Sequence, residues 1–147
     1  MTWQQLQQVG RVRPHSTSRQ EVDALRAVID RDLADAAITQ ISEDRRFATA
    51  YNAALQIAKL VLACAGYRVT GQGHHQTSFE AIDLAIGSPA APYAIFFDTC
   101  RRKRNMVDYD MSGIASLTEV EQVISEAVAI LALAEQWISQ SHPSLSK

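Results

Sequence analysis

Apolar residues recur at three- and four-residue spacing along four long stretches of the chain, the period of one face of an α-helix. In the first stretch Val22, Leu25, Val28 or Ile29, and Leu33 form a stripe that extends to about Ile38. In the second the stripe is Phe47, Tyr51, Ala54, Leu55, Ala58, Leu62 and Ala65, closed by Gly66 where a left-handed C-terminal residue is wanted. The third runs from about Ala91 to Tyr109, apolar in its first half (Tyr93, Ile95, Phe96, Phe97) and basic in its second. The fourth begins near Leu117, buries Val120, Val123, Ile124, Ala127, Ile130, Leu131, Ala134 and Ile138, and stops at Pro143.

Start signals agree with these stripes. Ser18-x-x-Glu21, Thr77-x-x-Glu80 and Thr118-x-x-Glu121 read as capping boxes, and Ser42 as the cap of the second long helix. The box at Thr77 opens a short helix that ends near Gly87. Pro92 suits the first turn of the helix that follows. The stretch 67–76, YRVTGQGHHQ, has two glycines and no helical period, so it reads as a loop. Residues 1–16 read as an amphipathic turn or arm ending at Pro14. The expected fold is all-α: an up-and-down antiparallel bundle of four long helices and one short one. The arm (1–16) precedes the bundle (17–141), and a polar tail (142–147) follows it.

Composition narrows the class. Of 147 residues 47% are hydrophobic and 20% charged, which suits a globular domain. The net charge of −2 excludes a general polycation, so any nucleic-acid contact must come from a local patch. Cys64 and Cys100 lie in apolar helical stretches without a CxxC partner, pointing to reduced thiols and a cytoplasmic protein. No uninterrupted apolar run reaches the roughly 18 residues of a membrane span, and no leader pattern opens the chain, so no membrane association is expected.

Candidate chemistry concentrates in Asp98-Thr-Cys-Arg101-Arg102-Lys103-Arg104-Asn105-Met106-Val107-Asp108-Tyr109-Asp110. Positive charge at a helix C-terminus is favoured by the helix dipole. Beyond that, Arg101, Arg104, Asn105 and Asp108 fall at i, i+3, i+4 and i+7, on one face. Arginine forks suit phosphate, which makes Arg101, Arg102, Lys103 and Arg104 candidate phosphate-binding residues. The competing reading is a solvated basic helix end held by i,i+4 ion pairs. His74 and His75 are the second candidate. They are either exposed loop histidines or, if the loop and the basic helix end share one end of the bundle, groups that approach Arg104 and Asp108. A metal site from His74, His75, Cys64 and Cys100 lacks zinc-ligand spacing, so no metal is expected, and no cofactor.

The Arg104-Asn105 pair followed by Asp108-Tyr109-Asp110, near the end of the penultimate long helix of a small bundle, resembles the HEPN superfamily. That name denotes a nucleotide-binding domain of prokaryotes and higher eukaryotes. The resemblance covers the helix order from residue 18 to residue 141. It implies a homodimer and an RNA-linked role in bacterial defence or toxin–antitoxin systems. It also implies, in many members, metal-independent ribonuclease activity from an arginine, a polar residue and a histidine separated from the arginine by four to six intervening residues. Arg104 and Asn105 match the first two. The histidine positions hold Tyr109, Asp110 and Met111, so the chain is a variant lacking the motif histidine.

Three functions follow as expectations. The first is a HEPN-like domain that binds RNA, a nucleotide or a protein partner through the basic helix end. The second is a ribonuclease in which Arg104 and Asn105 act with Asp108, Tyr109, His74 or His75. The third is a bundle serving only assembly. The resemblance also implies, as a partner, a cognate antitoxin or a nucleotidyltransferase acting on a tyrosine near the motif. Tyr109 is the nearby tyrosine, at an offset different from the usual one.

Overall fold

The computed structural model describes residues 1–109 and 112–147, without the side chains of Asp108 and Tyr109. The chain folds as an all-α helical bundle: α1 (Trp3–Gln8), α2 (Arg19–Ala36), α3 (Glu43–Ala65), α4 (His74–Ile86), α5 (Ala91–Tyr109) and α6 (Leu117–Ser141). A two-stranded antiparallel ribbon, β1 (Val12–Pro14) with β2 (Tyr67–Val69), is the sheet among the described residues.

Helix α3 is the axis. Of its 23 residues 14 are buried, between Arg46 and Cys64, against α2, α4, α5 and α6. Helix α3 is also long and apolar enough to cross a membrane, but 72% of its most apolar window is buried inside the bundle, so here it is a core helix. No uninterrupted apolar run of spanning length is involved, as expected from the sequence. A few interior polar residues interrupt this stretch without breaking its mean hydropathy.

Three of the five expected caps stand at their expected residues, but the Ser18 box closes only from the hydroxyl side, since the Glu21 carboxylate goes to His15 and Thr17. The Ser18 and Ser42 hydroxyls accept from the amides of Glu21 and Arg45, and Gly66 closes α3 at φ 94°, left-handed backbone that glycine adopts without a Cβ clash. Two boxes are displaced. Helix α6 is capped by Ser116 with Glu119, two residues before the expected Thr118 and Glu121, because Ser116 has the extended backbone a cap requires. Helix α4 starts at His74 with Gly73 as cap, so Thr77 already lies inside it. Thr77 and Glu80 are held by Arg11 instead: its Nε donates to the threonine hydroxyl at 3.0 Å and a terminal nitrogen to the carboxylate at 2.9 Å. The loop expected over 67–76 is thus partly strand and partly helix.

The N-terminal segment, expected as an arm, docks on the bundle. Thr2 and Gln5 form a reciprocal capping box, Leu6 and Val12 are buried, and Trp3 stacks on Tyr67 with ring centroids 4.2 Å apart. The ribbon explains why: Val12 pairs with Val69, which brings α1 back across the chain leaving α3.

Charged residues also lie inside. Arg26 donates to both Glu135 oxygens at 2.9 and 2.8 Å, to Asp23 at 2.9 Å and to the Leu145 carbonyl at 2.7 Å, tying α2 to α6 and the C-terminal segment. Breaking one member of a buried pair leaves an uncompensated charge. Glu135→Ala is therefore expected to lower unfolding free energy by about 3 kcal/mol in urea denaturation, whereas the exposed Arg19→Ala should cost about 0.5 kcal/mol or less. Equal losses in the two variants would contradict this account of the core.

Candidate functional site

The site is built from three elements around one buried phenol. Tyr51 lies in the apolar stripe of α3 and is 1% exposed. A buried hydroxyl needs a partner. The partner here is His75: the Tyr51 hydroxyl and His75 Nδ1 are 2.8 Å apart. The chain between α3 and α4 makes this contact. Strand β2 and the turn ending at Gly73, whose φ of 75° suits glycine, carry the start of α4 to the level of Tyr51. His75 is half-buried there and His74 is exposed.

From the other side α5 presents Arg104, whose guanidinium carbon lies 5.9 Å from the centre of the Tyr51 ring. That is cation–π distance. Below it, Tyr51 meets Phe79 edge-on and Phe79 stacks on Phe97, centroids 5.7 and 5.6 Å apart. This aromatic column fixes α4 and α5 against α3, and so fixes His75 and Arg104 relative to one another.

The other basic residues have separate roles. Arg101 Nε donates to Asp98 at 2.9 Å, and Arg102 shares the same carboxylate at 3.5 Å while remaining largely exposed. Lys103 turns away to Glu119 at the start of α6, where it depresses that carboxyl. Asn105 is exposed on the same helix. The side chains of Asp108 and Tyr109 lie outside the described residues. The four cations are thus not one equivalent cluster: Lys103 serves the α5–α6 junction, Arg101 and Arg102 share Asp98, and Arg104 lies over Tyr51. The junction itself is pinned from α3 by Asp44, which accepts from the amides of Gly113 (2.6 Å) and Ala115 (2.9 Å) and is thereby held below the usual carboxylate range.

The electrostatics follow from burial and these charges. Desolvation pushes the Tyr51 phenol well above its ordinary value, so it stays protonated at neutral pH. His75 is pushed down, first by burial and then by Arg104, with Lys59, His74 and Arg101 adding to it. A neutral imidazole held by a neutral phenol, beside arginines, can give or take a proton next to a bound anion. In the tautomer with the proton on Nδ1, that nitrogen donates to the tyrosine oxygen and Nε2 keeps a lone pair.

His75 and Arg104, both singled out from sequence, thus share Tyr51. His74 does not join them and faces a separate cleft with Lys59 and Arg68. Tyr51 was read from sequence only as a core position; its hydroxyl inside an apolar stripe was the available signal. Cys64 and Cys100 are buried thiols pushed up to about 11 and about 12 by desolvation, so they behave as small core residues.

A histidine titration by NMR tests the geometry. His75 should titrate below the ordinary value near 6.5, and Arg104→Ala should move it upward by removing a nearby positive charge. The sign for stability is set by the same shift. Above the ordinary value His75 is neutral in both folded and unfolded chains. As pH falls below it, the unfolded chain takes up a proton that the folded chain resists, so this residue's contribution is lost on acidification. A His75 titration unmoved by Arg104→Ala would separate the two side chains. Compared with family models, with curated proteins and with solved structures, the chain matches none.

Proposed function

We propose that this chain is a HEPN-like domain that binds RNA through the phosphodiester backbone at the basic end of α5, as a cytoplasmic homodimer in bacterial defence or toxin–antitoxin biology. The observation that carries this reading is the placement of Arg104 against Tyr51 and His75, with Arg101 and Arg102 sharing a single carboxylate beside it. Two arginines on one aspartate leave cationic capacity on that face, and guanidinium donors match phosphate oxygens. Asn105, exposed on the same helix, is suited to a base edge or a sugar hydroxyl. A nucleotide or an acidic protein segment would use the same donors. A cognate antitoxin or nucleotidyltransferase remains part of the proposed setting.

Salt dependence tests this reading. RNA affinity should fall linearly in a double-logarithmic plot against salt. Replacing the exposed Arg102 with Gln should reduce the slope by about 0.7 for a single strand, the share of one phosphate contact. Arg104→Ala should abolish measurable binding. Affinity that is indifferent to salt and to both substitutions would sink it.

The second reading, a metal-independent ribonuclease, is favoured by the Tyr51–His75 hydrogen bond. The motif histidine is missing from α5, and His75 supplies an imidazole from α4 instead. With Nδ1 anchored on Tyr51, Nε2 can take the proton of a ribose 2′-hydroxyl while Arg104 balances charge on the attacked phosphate. The leaving oxygen then takes its proton from a second group: Asp108, Tyr109 or the second copy's imidazole. Cleavage measured with EDTA present should be lost in His75→Ala and in Arg104→Ala, and should persist in His74→Ala. Intact RNA with the wild-type protein would leave binding as the function.

A further inference from the structure

A second polar cleft lies away from the Arg104 group. It has a volume of about 340 Å³, within the range of small-molecule sites, and lies between α2, α3, β2 and the start of α4. Leu25, Leu62 and Val69 give it apolar walls. Its polar side is cationic. Lys59 faces it from α3, half-buried between the core residues Ala58 and Leu60, and Arg68 faces it from β2. Among the described residues neither has a hydrogen-bond or ion-pair partner.

The carboxylate in the cleft, Glu21, is already engaged. It accepts from the Thr17 hydroxyl at 2.8 Å and is paired with His15 at 2.8 Å, contacts that hold it below its ordinary range. It is thereby tied to the segment that joins β1 to α2, with a weaker attraction to Arg68. Outside the cleft's lining, Arg13 stands directly opposite Arg68 across the strand pair, and like charges at such a position destabilise the pairing. Burial and Arg68 both disfavour the charged form of Lys59. A pocket that gathers like charges at this cost, around apolar walls, is complementary to an anion with an apolar body.

We infer that this cleft is a binding site for a small organic anion, a carboxylate or phosphate on an apolar ring or chain, with Lys59 and Arg68 holding the charged head between α3 and β2. The body of the ligand packs on Leu25, Leu62 and Val69. Tyr67 lines the same cleft and stacks on Trp3, so occupancy is reported to an indole. The inference does not rest on the RNA reading: Arg104 does not line the cleft, which meets the Arg104 group only through the charges of Lys59 and His74 acting on His75.

The test uses phenyl phosphate and benzoate as probes, with phenol as the uncharged control, by titration calorimetry on the full chain. In parallel, fluorescence is followed in a Trp137→Phe background, which leaves Trp3 as the reporter. The two anions distinguish a phosphate from a carboxylate head. Saturable binding of at least one anion, absent with phenol, is expected. It should be unchanged in Arg104→Ala and weakened about tenfold in Lys59→Met, which keeps the apolar stem, and in Arg68→Gln, which alters an exposed position. Trp3 emission should change on saturation. Binding lost in Arg104→Ala but kept in Lys59→Met and Arg68→Gln would assign the anion to α5 and overturn the inference. Absence of saturable binding of either anion would overturn it as well. If Lys59→Met lowers the melting temperature, the Arg68→Gln result decides.

Discussion

The rest of the structure depends on the burial of α3. A helix with core residues around most of its circumference cannot lie on a surface, and it must be covered on several sides at once. Helices α2, α4, α5 and α6 are each placed by that requirement. Alanines at 50, 53, 54, 58 and 63 let neighbours approach closely, while Phe47, Leu55, Ile57, Leu60 and Val61 fill the space between them. Burying such side chains contributes about 1.5–3 kcal/mol each for the large ones, so no surface ion pair competes with this term in choosing the arrangement.

Polar groups carried into the interior are then matched one by one. Arg46 donates to the last-turn carbonyl of Ala36, closing the end of α2 from α3. Asn52 donates to Asp32 at 2.6 Å across the same pair of helices, and Arg26 joins α2 to α6 through Glu135. Such contacts add little net energy relative to apolar packing but penalise alternatives, because a shift of one helical turn would strand buried charge. They set the register of α2 on α3 and α6, while the aromatic column of Tyr51, Phe79 and Phe97 sets that of α4 and α5.

The candidate site is a by-product of that column. Once Tyr51 is buried its hydroxyl requires a polar partner, and the start of α4 brings His75 to it. The flat face of the ring accepts Arg104. Each polar group thereby constrains the other: the arginine disfavours a charged imidazole, and the imidazole holds the phenol that supports the arginine.

The sequence by itself determined the helices, because each stripe and most stops are local: period, Ser18, Ser42 and Gly66 are read within a few residues of where they act. It also marked Arg101–Asn105 and the His74–His75 pair, because charge runs and adjacent histidines are visible without a fold. Tertiary structure decided which cap was used when two were near each other, as at Ser116 rather than Thr118. It moved the start of α4 to His74, since Arg11, far away in sequence, claims Thr77 and Glu80. It joined the first sixteen residues to the bundle through a ribbon whose strands lie more than fifty residues apart. It also separated the cations that sequence presents as equals, sending Lys103 to α6 and Arg104 to Tyr51, and it gave a core tyrosine the central place. These outcomes depend on which distant group satisfies a buried donor or acceptor, and no local pattern encodes that choice.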